Sequence, residues 1–201
     1  VGMPVTSFDF NSIQASINGN PLSVSGDFQG PGGYGFAVEM GQYTIPPGGT
    51  GTVRVYVGRV TDVLYTDDED SEYASAVFAP LYFQSSVITG TTDITVTYHL
   101  PPGAQPEEPR WHSAPSGFPS EPQAGFDADG RITYTWQNAN ASGDTSYLFG
   151  ASFPKSYVPA ESIVTVQSPS VSSDSSGTVF TLLCLGFFGF LFLGIPVLSA
   201  V

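Results

Sequence analysis

Residues 179–201, VFTLLCLGFFGFLFLGIPVLSAV, carry no charge and almost no polar group. As an α-helix these 23 residues rise about 34 Å at about 1.5 Å each. That is enough to cross a hydrocarbon core about 30 Å thick. The composition changes sharply at this stretch and divides the chain. Residues 1–167 are expected to form a soluble head, 168–177 a polar, Ser-rich stalk, and 178–201 a transmembrane helix whose partner is the lipid bilayer. Gly186-x-x-Gly189 is one residue short of the GxxxG helix-pairing motif, so no specific pairing is expected, and Pro196 is a kink that membrane helices tolerate.

Within 1–167 the dominant signal is alternation. Thr50 to Val60 places Val53, Val55 and Val57 on one side and Arg54 and Tyr56 on the other. Ile94 to Leu100 and Arg131 to Trp136 alternate in the same way, which is the period-2 pattern of half-buried strands. Asn18-Gly19, between apolar runs, supplies the positive φ angles of a tight hairpin. Weaker runs at Val5 to Phe10, Tyr73 to Phe83, Ser146 to Phe153 and Ser162 to Val166 bring the total to eight to ten strands. No stretch before residue 178 shows helical spacing of useful length. The fold class expected is therefore all-β, an antiparallel β-sandwich head followed by one C-terminal transmembrane α-helix. Leu100 to Pro122, with seven prolines, cannot join a ladder freely and should run over the surface or along an edge.

Charge excludes one class of partner. With 18 acidic residues against five basic ones, the net charge is -13, and the basic footprint that phosphate backbones require is absent, so no nucleic acid is expected. The single cysteine, Cys184, lies in the apolar tail, so the head has neither an internal disulfide nor a cysteine zinc site. Asn140-Ala141-Ser142 is a glycosylation sequon in a stretch that reads as a loop, in keeping with an extracellular or secretory-lumen head. Val1-Gly2 is neither an initiator methionine nor a leader, and no basic cluster follows the tail, so the expectation is a piece clipped at both ends.

Four stretches bear on chemistry. Asp67-Asp68-Glu69-Asp70-Ser71-Glu72 holds five carboxylates in six positions. Asp67, Asp68 and Asp70 are candidate calcium ligands because that ion takes six to eight oxygens. The spacing lacks the glycine and glutamate of an EF-hand loop, and a solvated acidic loop is the competing reading. Glu107-Glu108-Pro109-Arg110-Trp111-His112 gathers carboxylate, guanidinium, indole and imidazole. Arg110, Trp111 and His112 are the candidate binding residues, Trp111 by stacking on a sugar or peptide and His112 by titrating near neutrality. The alternative is a connection pinned by Trp111, with Arg110 paired to a carboxylate. Gly30, Gly32 and Gly35 match G-x-G-x-x-G formally, but no helix follows to receive a pyrophosphate. Asp127-Ala128-Asp129-Gly130 reads as a β-turn ahead of a strand. There is no GxSxG, no HExxH and no cysteine in the head, so no catalytic residues and no cofactor are expected.

Tyr73 to Phe83, Tyr98 to His112 and Tyr147 to Pro159 together resemble, in layout, the non-cytoplasmic head and first transmembrane helix of uncharacterised fungal membrane proteins, similar to the domain of unknown function 2207 type. The resemblance implies a β-rich head, a membrane span and a further cytoplasmic part. It implies no catalytic residues. The function expected is a membrane-anchored, non-enzymatic ectodomain that binds protein or glycan. The alternatives are a glycosylphosphatidylinositol-anchored surface protein, with small residues at Ser172, Ser173 and Ser175 to Gly177, and a carbohydrate-active enzyme using paired carboxylates.

Overall fold

A computed structural model describes residues 1, 3, 7–26, 35–80 and 85–164. The stalk, the apolar tail and most of the Gly30 to Gly35 motif lie outside the described residues. Strands run in chain order as β1 (Gln14–Ile17), β2 (Asn20–Ser25), β3 (Ala37–Glu39), β4 (Val53–Tyr56), β5 (Leu64–Thr66), β6 (Tyr73–Phe78), β7 (Thr91–His99), β8 (Arg110–Trp111), β9 (Gln123–Phe126), β10 (Ile132–Ser142), β11 (Phe149–Pro154) and β12 (Ile163–Val164). The helical elements among the described residues are 3-10 turns of three residues each. The fold is all-β. No helix of the described residues is long and apolar enough to cross a membrane.

The strands form three sheets, in the orders β3-β2-β1-β4, β7-β10-β9 and β12-β5-β6-β11-β8. The last two share one buried cluster and pack in a sandwich-like way. Val96 of β7, Leu100 just after it, and Ile132, Tyr134 and Trp136 from β10 meet Ala74 of β6 and Phe149, Ala151 and Phe153 of β11. Trp136 is fully buried at the centre, with its ring 5.5 Å from Phe149 and 6.0 Å from Tyr98. Alternation along β10 causes this directly, since Ile132, Tyr134 and Trp136 all fall on its inner face. Two tyrosine hydroxyls then tie the layers together: Tyr98 donates to the Phe149 carbonyl and Tyr134 to the Pro109 carbonyl, each at 2.9 Å.

Twelve strands among the described residues exceed the eight to ten expected. The strands not expected are β5, β8 and β9, pieces of two to four residues, too short to show a period. One pairing, β12 with β5, is parallel, so the arrangement is not wholly antiparallel. The hairpin at Asn18-Gly19 forms as its residues require, with φ of 48° and 86°. The Val53/Val55 face does not become interior: both valines are about 40% exposed, and no residue of this four-stranded sheet enters the central buried cluster. The sequon also departs from expectation. Asn140 lies in β10 rather than a loop, where the register with β7 shifts between Asn138 and Ala141, and it is exposed at that bulge.

Asp127-Ala128-Asp129-Gly130 is the turn between β9 and β10, with Gly130 at φ 77° donating to the Asp127 carbonyl. The Asp127 Oδ1 accepts from the Asp129 and Arg131 amides, both at 2.9 Å, while Oδ2 accepts from Arg131 Nε and His99 Nδ1, both at 2.8 Å. The His99 hydrogen bond above all, with the Arg131 side chain and the two amides, outweighs lost hydration and lowers the Asp127 pKa to about 2. A carboxylate lowered from about 3.9 in the unfolded chain contributes stability fully above pH 4, which is lost as pH falls from about 4 towards 2. Asp127→Asn should therefore melt lower than wild type at pH 7 and show a shallower loss of melting temperature between pH 4 and 2, read by circular dichroism.

Candidate functional site

Register builds the site. Val164, Tyr65, Ser75, Ser152 and Arg110 are partners in one row across β12, β5, β6, β11 and β8. Alternation places this row on the face opposite Ala74, Ala151 and Phe153, so it forms the outer face of the five-stranded sheet. A cleft of about 1030 Å³ opens over it, lined among others by Tyr65, Asp68, Glu69, Ser75, Trp111 and His112. The two clusters singled out from sequence, the acidic run and the Arg110-Trp111-His112 stretch, thus meet in one place despite the roughly 40 residues between them.

The floor of the cleft is a hydrogen-bond chain. His112 Nε2 lies 2.7 Å from Ser152 Oγ, 3.3 Å from Ser75 Oγ and 3.8 Å from Asp67 Oδ2. Ser152 Oγ donates its one proton to Asp67 Oδ2 at 2.5 Å, so it must accept from Nε2–H, and that assigns the tautomer of the ring. Asp67 Oδ1 accepts from the Glu69 and Asp70 amides at 3.0 and 3.1 Å. Burial pushes the Asp67 carboxyl up, but the donors from Ser152, Glu69 and Asp70 and the nearby His112 more than offset it and hold it below its ordinary value.

This is not the arrangement of an activated serine. In a Ser-His-Asp triad the carboxylate orients one ring nitrogen and the serine faces the other. Here serine and aspartate crowd the same nitrogen, the serine proton already belongs to the carboxylate, and Ser152 is 2% exposed. The ring is instead held as a structural plate. Its Nδ1 side lies against Gly150, where an added Cβ would collide with Nδ1 and sit 2.7 Å from Cγ. His112 N donates to the Gly150 carbonyl at 3.0 Å, fixing the backbone beneath.

The walls are held separately. Arg110 Nη2 bonds Asp70 Oδ2 at 3.0 Å, and the guanidinium rests 3.9 Å from the centre of the Tyr73 ring. Trp111 stands edge-on to Tyr134, 5.5 Å away at 86°, and remains 41% exposed. The structure therefore shows both the pinning and the ion pair set out as the alternative reading of this stretch. Asp67 and Asp70 spend their oxygens on the turn between β5 and β6, on Ser152 and on Arg110, while Asp68 is exposed at the tip. Among the described residues no group of three or more His, Cys, Asp or Glu side chains is placed to hold a metal ion.

Sequence reading missed Tyr65, Ser75, Gly150 and Ser152. A faint signal existed for two of them: Ser75 and Ser152 interrupt Ala-x-Ala and Ala-x-Phe pairs at period 2, marking the outward side of β6 and β11. Compared with known proteins, the chain matches no family model, no curated protein and no solved structure. The resemblance drawn from sequence stands on layout alone.

Gly150→Ala should lower the melting temperature by forcing the His112 ring off its seat, at a cost of about 1–3 kcal/mol for overpacking. Adding His112→Ala in the same chain should recover much of that loss, and simple additivity of the two changes would refute the contact. Tyr134→Phe leaves the buried Pro109 carbonyl without its donor and should cost about 1–3 kcal/mol, with faster amide exchange at Arg110 and His112.

Proposed function

We propose that this chain is a membrane-anchored, non-enzymatic ectodomain, a β-sandwich head followed by one transmembrane helix over 178–201, and that its role is to bind protein or glycan in the outer-face cleft. One observation carries the binding reading. Tyr65 stands on the outer-face row that floors the cleft, partly exposed, with its ring held by the hydroxyl it donates to the Asp62 carbonyl at 3.1 Å. A large side chain already immobilised loses little entropy when a ligand covers it, which is how aromatic anchors work in recognition sites. The acidic surface and apolar tail support an extracellular or secretory-lumen head. Exposed Asn140 at the β10 bulge supports a glycoprotein there.

Two measurements test this. In sealed microsomes carrying the full chain, added protease should spare the head, and N-glycosidase should increase gel mobility for wild type but not for Asn140→Gln. Digestion of the head without detergent would defeat the topology. In nonionic micelles, Tyr65→Ala with its β-sheet circular dichroism retained should lose retention on immobilised glycan or protein ligands that wild type binds; equal retention would defeat the cleft as the site.

A further inference from the structure

We infer that the open edge of β4 pairs with the same edge of a second copy of this chain, joining two heads through one continuous antiparallel sheet. The inference is independent of the outer-face cleft. Within its sheet β4 is bonded to β1 alone, so one of its sides is free among the described residues. Which backbone groups that side presents follows from the two ends of the strand. Asn18 N donates to the Thr52 carbonyl at 2.9 Å and Gly58 N donates to Ser12 Oγ at 3.0 Å, so the even positions from 52 to 58 turn towards β1. Successive residues of a strand turn opposite ways. The N–H and C=O groups of Val53 and Val55, and of Val57 just past β4, therefore point outward. Such a row is a template for another strand, and neither proline nor lysine blunts it here.

The side chains choose the partner. Val53-Arg54-Val55-Tyr56-Val57 is nearly symmetric about its centre. With Val55 on a two-fold axis, antiparallel pairing sets Val55 against its own copy, Val53 against the partner's Val57, and Arg54 against the partner's Tyr56. The valine pairs share one face, on which Val53 and Val55 are already about 40% exposed. Arg54 and Tyr56 fall at the positions without hydrogen bonds to the second copy, where opposed side chains come closest, and a guanidinium is attracted to a phenol ring. Tyr56 is 60% exposed, and Arg54 is exposed and enters no salt bridge among the described residues. Moving the axis to Arg54 would set two guanidinium groups against each other, so charge fixes the register. Charge also favours this surface over others. Residues 1–60 hold three acidic side chains against two arginines, whereas 15 of the 18 acidic residues lie beyond them. Two copies that repel elsewhere can meet here.

The test is sedimentation equilibrium of the full 201-residue chain in density-matched nonionic micelles, with thiol cross-linking in a Cys184→Ser background. Wild type should reach twice the monomer mass at or below about 100 µM. Val55→Lys puts two ammonium groups on the axis and should weaken association at least about tenfold. Arg54→Ala removes two ring contacts and should weaken it about fivefold to thirtyfold. Val87→Lys, at a valine exposed elsewhere, should leave it unchanged. A short bismaleimide should join Val55→Cys to its copy but not Val53→Cys, whose copies lie four residues out of register, about 14 Å along the strand. A monomer throughout overturns the inference and leaves the edge to a foreign strand. A dimer that Val55→Lys does not weaken overturns it too, since association by the tail would behave that way. Equal cross-linking of Val53→Cys and Val55→Cys overturns the pairing.

Discussion

The Tyr134 hydroxyl, buried and bonded to the Pro109 carbonyl, is the interaction on which the outer face depends. The connection from Leu100 to Pro122 is too rich in proline to hold itself by a ladder. It is fastened at points instead: Tyr134 takes Pro109, Tyr157 donates to Glu108 at 2.6 Å, and the Glu108 carboxylate accepts the Gln105 amide at 2.8 Å. Only with Pro109 fixed can the next two residues pair with β11 and place His112 over Gly150. The same tyrosine ring backs Trp111. One core side chain thus converts the alternation of β10 into the position of three site residues.

The acidic residues are structural before they are anything else. Asp67 and Asp127 stand in equivalent local situations: each begins a turn, turns one oxygen onto backbone amides two and then three or four residues ahead, and offers the other to a distant group. For Asp127 the distant group is His99; for Asp67 it is Ser152, 85 residues away in sequence. Carboxylates fed by amide donors are poor candidates for sharing a cation, since their lone pairs are already directed inward. That leaves Asp68 and Glu69 as the electrostatically open part of the run.

Legibility in sequence followed length and locality. β7 and β10 are nine and eleven residues long, and Ile94 to Leu100 and Arg131 to Trp136 alternate plainly in them. The Asn18-Gly19 hairpin and the Asp127 turn were plain because their chemistry is contained in two to four neighbours. β5 and β8 have three and two residues and exist only because longer strands recruit them, whereas β12 falls in the expected run Ser162 to Val166. The site was half visible. Arg110, Trp111 and His112 stood out as a rare mixture and the acidic run as a dense one, yet nothing local to either says that they face each other. That meeting is decided by sheet order, a property of the whole domain. Val53 and Val55 show the converse error, since a clean period guarantees two faces but not that one of them is covered.

The seat of His112 on Gly150 ties two positions in inheritance as well as in space. A descendant that gains any side chain at 150 must shed or shorten the one at 112, and one that keeps the imidazole keeps the glycine. Glycine with serine two places on, matched to a histidine some 38 residues earlier, is therefore a fingerprint by which diverged kin of this cleft can be recognised after the rest of the surface has been rewritten.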